Sequence, residues 1–315
     1  GRKHFREKER SIKEKIRMWR EGHIAHLWSL ATKQPTQNQR GRKKMSPTPS
    51  QDETNVLRCK RLLRDGQFSR AVQALTSRGI DQGSHAAFVA MQEKKPSAIP
   101  ASLPGGQAPD PIHLTPDKVK SALNSFKSGT APGPSGLRAE HLKAAIFSPT
   151  PSRAETALHS LTAFSNMLAA GNFPAAIAPF ICGANLFAAR KKDGGYRPVA
   201  VGEVTRRLVS KCLAFKVAPR AADLLKPFQM GVGVPGGCEG ILHAINAIVN
   251  DSSIPQDQKW ILMIDFKNAF NLVDREIVFQ EVREKFPELS AWVEASYRTQ
   301  AHLYFSNSII LSCLG

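Results

Sequence analysis

Trp260-Ile-Leu-Met-Ile-Asp-Phe-Lys-Asn-Ala-Phe270 is the stretch on which the fold turns. Residues 260–264 form a continuous apolar run of strand length, which predicts a buried strand. The run ends in Asp265. A carboxylate at the end of a buried strand is costly unless it has a partner or a task. Binding a divalent cation is such a task, because hard cations take oxygen ligands. The plainer alternative is an Asp that caps the next turn. Upstream, Ile241, Leu242, Ile245, Ile248 and Val249 recur at helical spacing. Downstream, Asp274 can cap a helix whose inner face holds Val278, Val282 and Phe286. Leu303-Tyr-Phe305, a Ser306-Asn-Ser308 turn and Ile309-Ile-Leu311 predict a hairpin at the end of the chain.

A second hairpin is predicted before the 260–270 stretch. Asn185-Leu-Phe-Ala-Ala-Arg190 reads as a strand, Lys191-Lys-Asp-Gly-Gly195 as the tip and Tyr196-Arg-Pro-Val-Ala-Val201 as the return. Lys191 and Lys192 on a glycine turn, with Arg197 just behind, could clamp a triphosphate. An ordinary solvated hairpin carries the same residues. Earlier, Thr115 and Pro116 predict the start of a helix with Val119, Leu123 and Phe126 on one face. Ala131-Pro-Gly-Pro-Ser-Gly136 can be neither helix nor strand and predicts a rigid loop. Helices are expected at about 153–170 and around Leu208, Leu213 and Phe215.

Gly231-Val-Gly-Val-Pro-Gly236 matches the dinucleotide pattern G-x-G-x-x-G ahead of a helix. A dinucleotide-binding oxidoreductase is therefore an alternative. No clear strand precedes Gly231, and Pro235 removes a backbone N–H that the phosphate turn would use.

The chain of 315 residues has 44 Lys plus Arg against 26 Asp plus Glu, a net charge of +18. Residues 1–50 hold 14 basic and 4 acidic residues, whereas residues 251–315 hold 6 and 9. The basic excess is thus an N-terminal feature, and a polyanion is its natural partner. Lys13, Lys15, Arg17 and Arg20 fall on a predicted helix that Ile12, Ile16 and Trp19 make amphipathic. Arg42, Lys43 and Lys44 follow in a linker-like segment. No apolar stretch is long enough to span a membrane. The five cysteines are isolated, so neither a cysteine zinc site nor a disulfide framework is expected, and an intracellular setting follows. The expected organisation is a basic amphipathic helix (1–32), a linker (33–55), a helical segment (56–94), a Pro/Gly-rich boundary (95–112) and a main region (113–315).

In order, the pieces of the main region resemble the reverse transcriptase domain of non-LTR (LINE-type) retrotransposons. The landmarks are Ser128-Gly-Thr-Ala-Pro-Gly-Pro-Ser-Gly-Leu137, Phe173-Pro, Lys191-Lys-Asp-Gly-Gly-Tyr-Arg-Pro-Val199, Pro227-Phe-Gln-Met-Gly231 and Ile264-Asp-Phe-Lys-Asn-Ala-Phe270. The segment 128–137 points to non-LTR elements over retroviral enzymes; group II intron reverse transcriptases share a related one.

The resemblance implies an α+β, right-hand polymerase fold, with fingers and a partial palm preceded by a basic helical N-terminal region. It implies an RNA-directed DNA polymerase that joins a dNTP to a primer 3′-hydroxyl with two Mg²⁺ (or Mn²⁺) ions. Asp265 would be the first catalytic aspartate and a metal ligand, and Phe266 would lend its backbone carbonyl to a metal. Phe270 would be the steric gate against a ribose 2′-hydroxyl. Arg197, with Lys191 or Lys192, would clamp the triphosphate. The implied partners are an RNA template, a DNA primer, dNTPs and the rest of the element's polyprotein. The implied setting is a nuclear or cytoplasmic ribonucleoprotein.

Two departures stand out. The family often has Asp where Ser135 stands. It also continues with a Gln-Gly-Asp-Pro-type loop and a Tyr/Phe-x-Asp-Asp motif, neither of which occurs here. This chain alone is therefore expected to be inactive, and a non-catalytic nucleic-acid-binding remnant is the main alternative.

Overall fold

Side-chain caps at Ser50, Ser84 and Asp274, and prolines at 116, 151 and 179, mark helix starts in the computed structural model, which describes residues 13–32, 50–81, 83–96 and 99–314. The chain divides into two compact units, residues 1–77 and 78–315.

The first unit is helical: α1 (13–20), α2 (Ile24–Thr32), α3 (Gln51–Arg64) and α4 (Phe68–Leu75). A capping box opens α3. Ser50 Oγ accepts the Glu53 N–H at 3.2 Å, and the Glu53 carboxylate accepts the Ser50 N–H at 2.8 Å. The linker expected through residue 55 therefore gives way to helix after Ser50. Cys59, Leu62, Ala71 and Ala74 form a small core. Leu63, Phe68, Val72 and Leu75 are exposed, and the small Ala71 and Ala74 take the packed face of α4. Small side chains let two helices approach closely, which favours that face.

The second unit is α+β. Its elements are β1 (Ile80–Asp81), α5 (His85–Glu93), α6 (Pro116–Asn124), α7 (Ala139–Ile146), α8 (Pro151–Ala169), α9 (Ala178–Ile181), β2 (Ala184–Arg190), β3 (Tyr196–Gly202), α10 (Val204–Leu225), α11 (Gly237–Asn250), α12 (Arg275–Lys285), α13 (Ser290–Tyr297), β4 (Ala301–Phe305) and β5 (Ser308–Ser312). Strand β2 organises the sheet. It pairs antiparallel with β3 from Ala184↔Gly202 to Arg190↔Tyr196, and parallel with β4 at Ala184↔Leu303. β5 folds back on β4, and β1 caps the far end of β2 at Ile80↔Ala189. Both predicted hairpins are thus present.

Alternation buries Ala184, Leu186 and Ala188 of β2 against Ala87 and Met91 of α5. A second core joins α6, α7, α8, α10 and α13 through Leu123, Ile146, Leu168, Leu208 and Trp292. Asn166 of α8 grips the backbone ahead of α6, accepting from Leu114 N at 2.7 Å and donating to Leu114 O at 2.9 Å.

The Pro-Gly loop docks on the junction of β3 and α10. Ser135 donates its N–H and O–H to the Glu203 carboxylate at 2.6 and 2.7 Å, and Arg207 donates to Ala131 O at 2.6 Å. At Gly133 the two backbones nearly touch: a Cβ there would lie 2.6 Å from Glu203 Cα.

Two expectations need correction. Residues 260–264 form no strand. They run without ladder partners, and Trp260, Leu262 and Met263 are more than four-fifths exposed. Strand formation needs a neighbouring edge to satisfy backbone N–H and C=O groups, and no described strand pairs with this run. In α12, Asp274 caps as predicted, accepting the Glu276 N–H at 2.8 Å. The buried anchor, however, is Phe279, with Val278, Val282 and Phe286 only half-buried beside it. The glycine motif at 231–236 follows α10 through non-strand residues, so it lacks the strand that a dinucleotide turn needs.

Candidate functional site

Asp81 braces the root of the β2–β3 tip. It is buried, accepts the N–H groups of Gly83 (3.1 Å) and Ser84 (2.8 Å), pairs with Arg190 at 2.8 Å and accepts the Tyr196 O–H at 3.2 Å. The Ser84 N–H above all holds its carboxyl below the ordinary range, against the opposing effect of burial. Arg190 and Tyr196 are the last cross-strand pair before the turn. Both are therefore anchored to one buried carboxylate. The turn itself closes through Lys191 N–H to Gly195 O at 2.8 Å and Gly195 N–H to Asp193 Oδ1 at 3.0 Å, with Gly194 at φ +83°. Lys191 Nζ lies 3.9 Å from Asp193 Oδ2.

The loop carrying Asp265 faces this tip. It turns at Asn268, which adopts the left-handed conformation (φ 59°, ψ 27°), and continues as a single 3₁₀ turn over Ala269–Asn271. Left-handed backbone is more accessible to Asn than to most non-glycine residues. Asn268 Nδ2 donates to the backbone carbonyl of Lys94 at 2.9 Å, and its Oδ1 accepts from Asn271 Nδ2.

Between tip and loop lies a cleft of about 610 Å³. It brings together Lys191, Arg197, Asp265, Phe266 and Phe270, five of the residues that the sequence singled out. Lys192 does not line it. Lys94, Tyr196, Asn268 and Asn271 line it and were not foreseen. Lys94 is the last residue of the segment expected to be helical (56–94), just ahead of the Pro/Gly-rich boundary, and its approach to residue 268 is a purely tertiary event. Phe266 and Phe270 are 75% and 89% exposed, so both rings are available to a ligand.

In the first unit, Lys13, Lys15, Arg17 and Arg20 are exposed on α1. Arg17 lies 3.7 Å from Glu14 and 3.8 Å from Glu21, so part of its charge is locally offset. Ile16 and Trp19 are also exposed, contrary to the packed stripe their spacing suggests. Ile12, Arg42, Lys43 and Lys44 lie outside the described residues.

No family model matches the chain, and no curated protein matches it. Among the described residues no helix is long and apolar enough to cross a membrane.

Magnesium or manganese chemistry of the implied kind needs several oxygen ligands around two ions. Among the described residues, Asp265 is the only carboxylate lining the cleft. No group of three or more His, Cys, Asp or Glu side chains among the described residues is placed to hold an ion. This donor set does not fit a two-ion centre. What the cleft offers instead is cationic groups opposite one acid and two open aromatic rings, an arrangement suited to a phosphorylated, ring-bearing ligand.

Proposed function

We propose that this chain is the fingers and part of the palm of a non-LTR-type reverse transcriptase, and that its cleft binds the triphosphate and sugar of an incoming dNTP. The observation that supports this reading is the meeting of residues 191–198 with residues 264–271 in one cleft. The sequence allows a triphosphate clamp in the first segment, and the resemblance assigns the second the catalytic acid.

On this reading Lys191 and Arg197 hold the phosphates by charge-assisted hydrogen bonds. Phe270 lies against the sugar, where its ring leaves no room for a 2′-hydroxyl. Nucleotidyl transfer is the reaction of the family, but one carboxylate does not carry it. The work assigned to these residues is binding and orientation of the nucleotide. RNA template, DNA primer and the rest of a polyprotein are the partners this reading adds.

A second reading has its own support. Four exposed cations and the exposed Trp19 on α1 suit a nucleic-acid strand, whose phosphates and bases they would meet. A non-catalytic nucleic-acid-binding protein is that second reading.

Titration of the full chain with fluorescent dGTP, and separately with a DNA primer on RNA, tests both. The first reading expects saturable dGTP binding that weakens about tenfold in Lys191→Ala and in Arg197→Ala. It also expects Phe270→Ala to close the gap between dGTP and rGTP. A parent chain that holds the primer–template but not dGTP removes the first reading and leaves the second.

A further inference from the structure

We propose that Lys94 is a third phosphate-binding cation of the cleft and that Asn268 is the positioning residue that holds it there. The inference rests on the reading of the cleft as a triphosphate site. Lys94 follows the last residue of α5, is half-buried, and lines the same cleft as Lys191 and Arg197.

Three observations place it there. First, the carbonyls of a helix's final turn lack intrahelical partners, and the Lys94 carbonyl obtains one from Asn268 Nδ2 at 2.9 Å. That bond ties two segments 174 residues apart, so the position of Lys94 is set by the acid-bearing loop itself. Second, Asn268 is fixed at both ends of its amide, because Asn271 Nδ2 donates to Asn268 Oδ1. Its left-handed backbone aims the amide back toward α5 while the 3₁₀ turn continues toward Phe270. Third, the adjacent lysine goes elsewhere: Lys95 is half-buried, with its Nζ 3.4 Å from Ser312 Oγ. The Lys94–Lys95 pair is therefore split between the cleft and the end of β5. Lys191 shares its charge with Asp193 at 3.9 Å, which leaves the cleft in need of further positive charge to hold a polyanion.

The test uses the full chain, with dGTP, inorganic tripolyphosphate and deoxyguanosine as separate probes. Lys94→Gln is expected to weaken dGTP and tripolyphosphate about tenfold and leave deoxyguanosine unchanged. Lys94→Arg is expected to restore most of the loss. The salt dependence of dGTP affinity should become shallower by about one charge in Lys94→Gln. Asn268→Gly keeps the left-handed backbone accessible and deletes the amide. It should weaken tripolyphosphate several-fold without a matching fall in thermal midpoint. Lys95→Gln should not change phosphate affinity.

If Lys191→Ala and Arg197→Ala lose affinity while Lys94→Gln does not, the role of Lys94 is overturned and the cleft reading stands. If Lys94→Gln weakens binding but Asn268→Gly matches the parent, the positioning role of Asn268 is overturned. If Lys191→Ala and Arg197→Ala leave affinity unchanged, the underlying reading fails, and with it this proposal. Should Lys94→Gln not fold, Lys94→Met with tripolyphosphate decides the same question.

Discussion

Substituting Gly133 by alanine should destabilise the second unit, because the buried Gly133 is where the Pro-Gly loop touches the β3–α10 junction. A Cβ at position 133 would sit 2.6 Å from Glu203 Cα, 2.7 Å from Glu203 N and 2.8 Å from Gly202 C. Every one of these atoms is backbone, so no side chain can swing away. Comfortable carbon contacts begin near ~3.5 Å, so the loop and the β3–α10 junction must part by about 1 Å. Overpacking of this kind costs about 1–3 kcal/mol. The same movement strains the bonds from Ser135 to Glu203 and from Arg207 to Ala131. Net hydrogen bonds are worth about 1 kcal/mol each and water replaces part of the loss at this surface. The total is about 2–4 kcal/mol. For a unit of this size that lowers the thermal midpoint by about 4–16 °C.

Two controls separate close approach from backbone conformation. Gly136 has φ +76° and nothing within 4 Å of the point a Cβ would occupy, so Gly136→Ala meets only the left-handed penalty of about 1–2 kcal/mol. Gly105 has open space and no positive φ, so Gly105→Ala should be neutral or slightly stabilising. Thermal unfolding of the three variants, followed by circular dichroism, should rank the losses 133, then 136, then 105. A Gly133→Ala midpoint within about 1 °C of the parent refutes the reasoning, since it implies that the two backbones are not in contact.

Further expectations concern charge and thiols. Ser135→Asp sets a second carboxylate against Glu203, which now accepts from Ser135 at 2.7 Å. Like charge raises a carboxyl pKa in the folded state, so the midpoint should fall at pH 7 and the deficit should shrink on acidification. An equal deficit at pH 7 and pH 4.5 (about the carboxyl range) would contradict that pairing. Burial, and then the nearby Arg275, push Lys95 from 10.5 down to about 8. The unfolded chain thus binds more protons between those values, and stability from this group rises with pH across that window. Lys95→Met should raise the midpoint at pH 7 and flatten that rise; a lower midpoint in Lys95→Met argues against a cost of burial. Cys238 is exposed, whereas Cys59, Cys182, Cys212 and Cys313 are buried, and burial pushes Cys212 up to about 11. A thiol reagent should therefore label one cysteine rapidly in the native chain, and Cys238→Ser should abolish that phase.

The parts of the fold that were legible are those whose signal is local. A glycine tip between two alternating segments specifies the β2–β3 hairpin without help from the rest of the chain. Pro116 and Pro151 open α6 and α8 because a proline at the first helical position loses nothing that the helix needs. Asp274 caps α12 for the same kind of local reason. The apolar run at 260–264 failed because hydrophobic content records a preference for burial and not the presence of a partner edge. Likewise Phe68, Val72 and Leu75 share a helical face by spacing, yet the alanines on the flanking face decide what α4 packs against.

The cleft divides along the same line. Lys191 and Arg197 were visible because cations on a glycine hairpin are informative, whereas Asp265 was singled out as the end of a buried strand that does not form, and it stands exposed in the cleft. Lys94 and Asn268 were not visible, since nothing in a lysine pair or in a lone asparagine announces a bond across 174 residues. Ser135 is a like case. Its residue type alone says nothing of its partner, but its hydroxyl and N–H both serve Glu203, and an aspartate there would oppose that carboxylate. A serine at 135 and a glutamate at 203 form one physical unit. An aspartate at 135 would set two carboxylates together at the start of α10, a cost that Ser135 avoids by donating to Glu203.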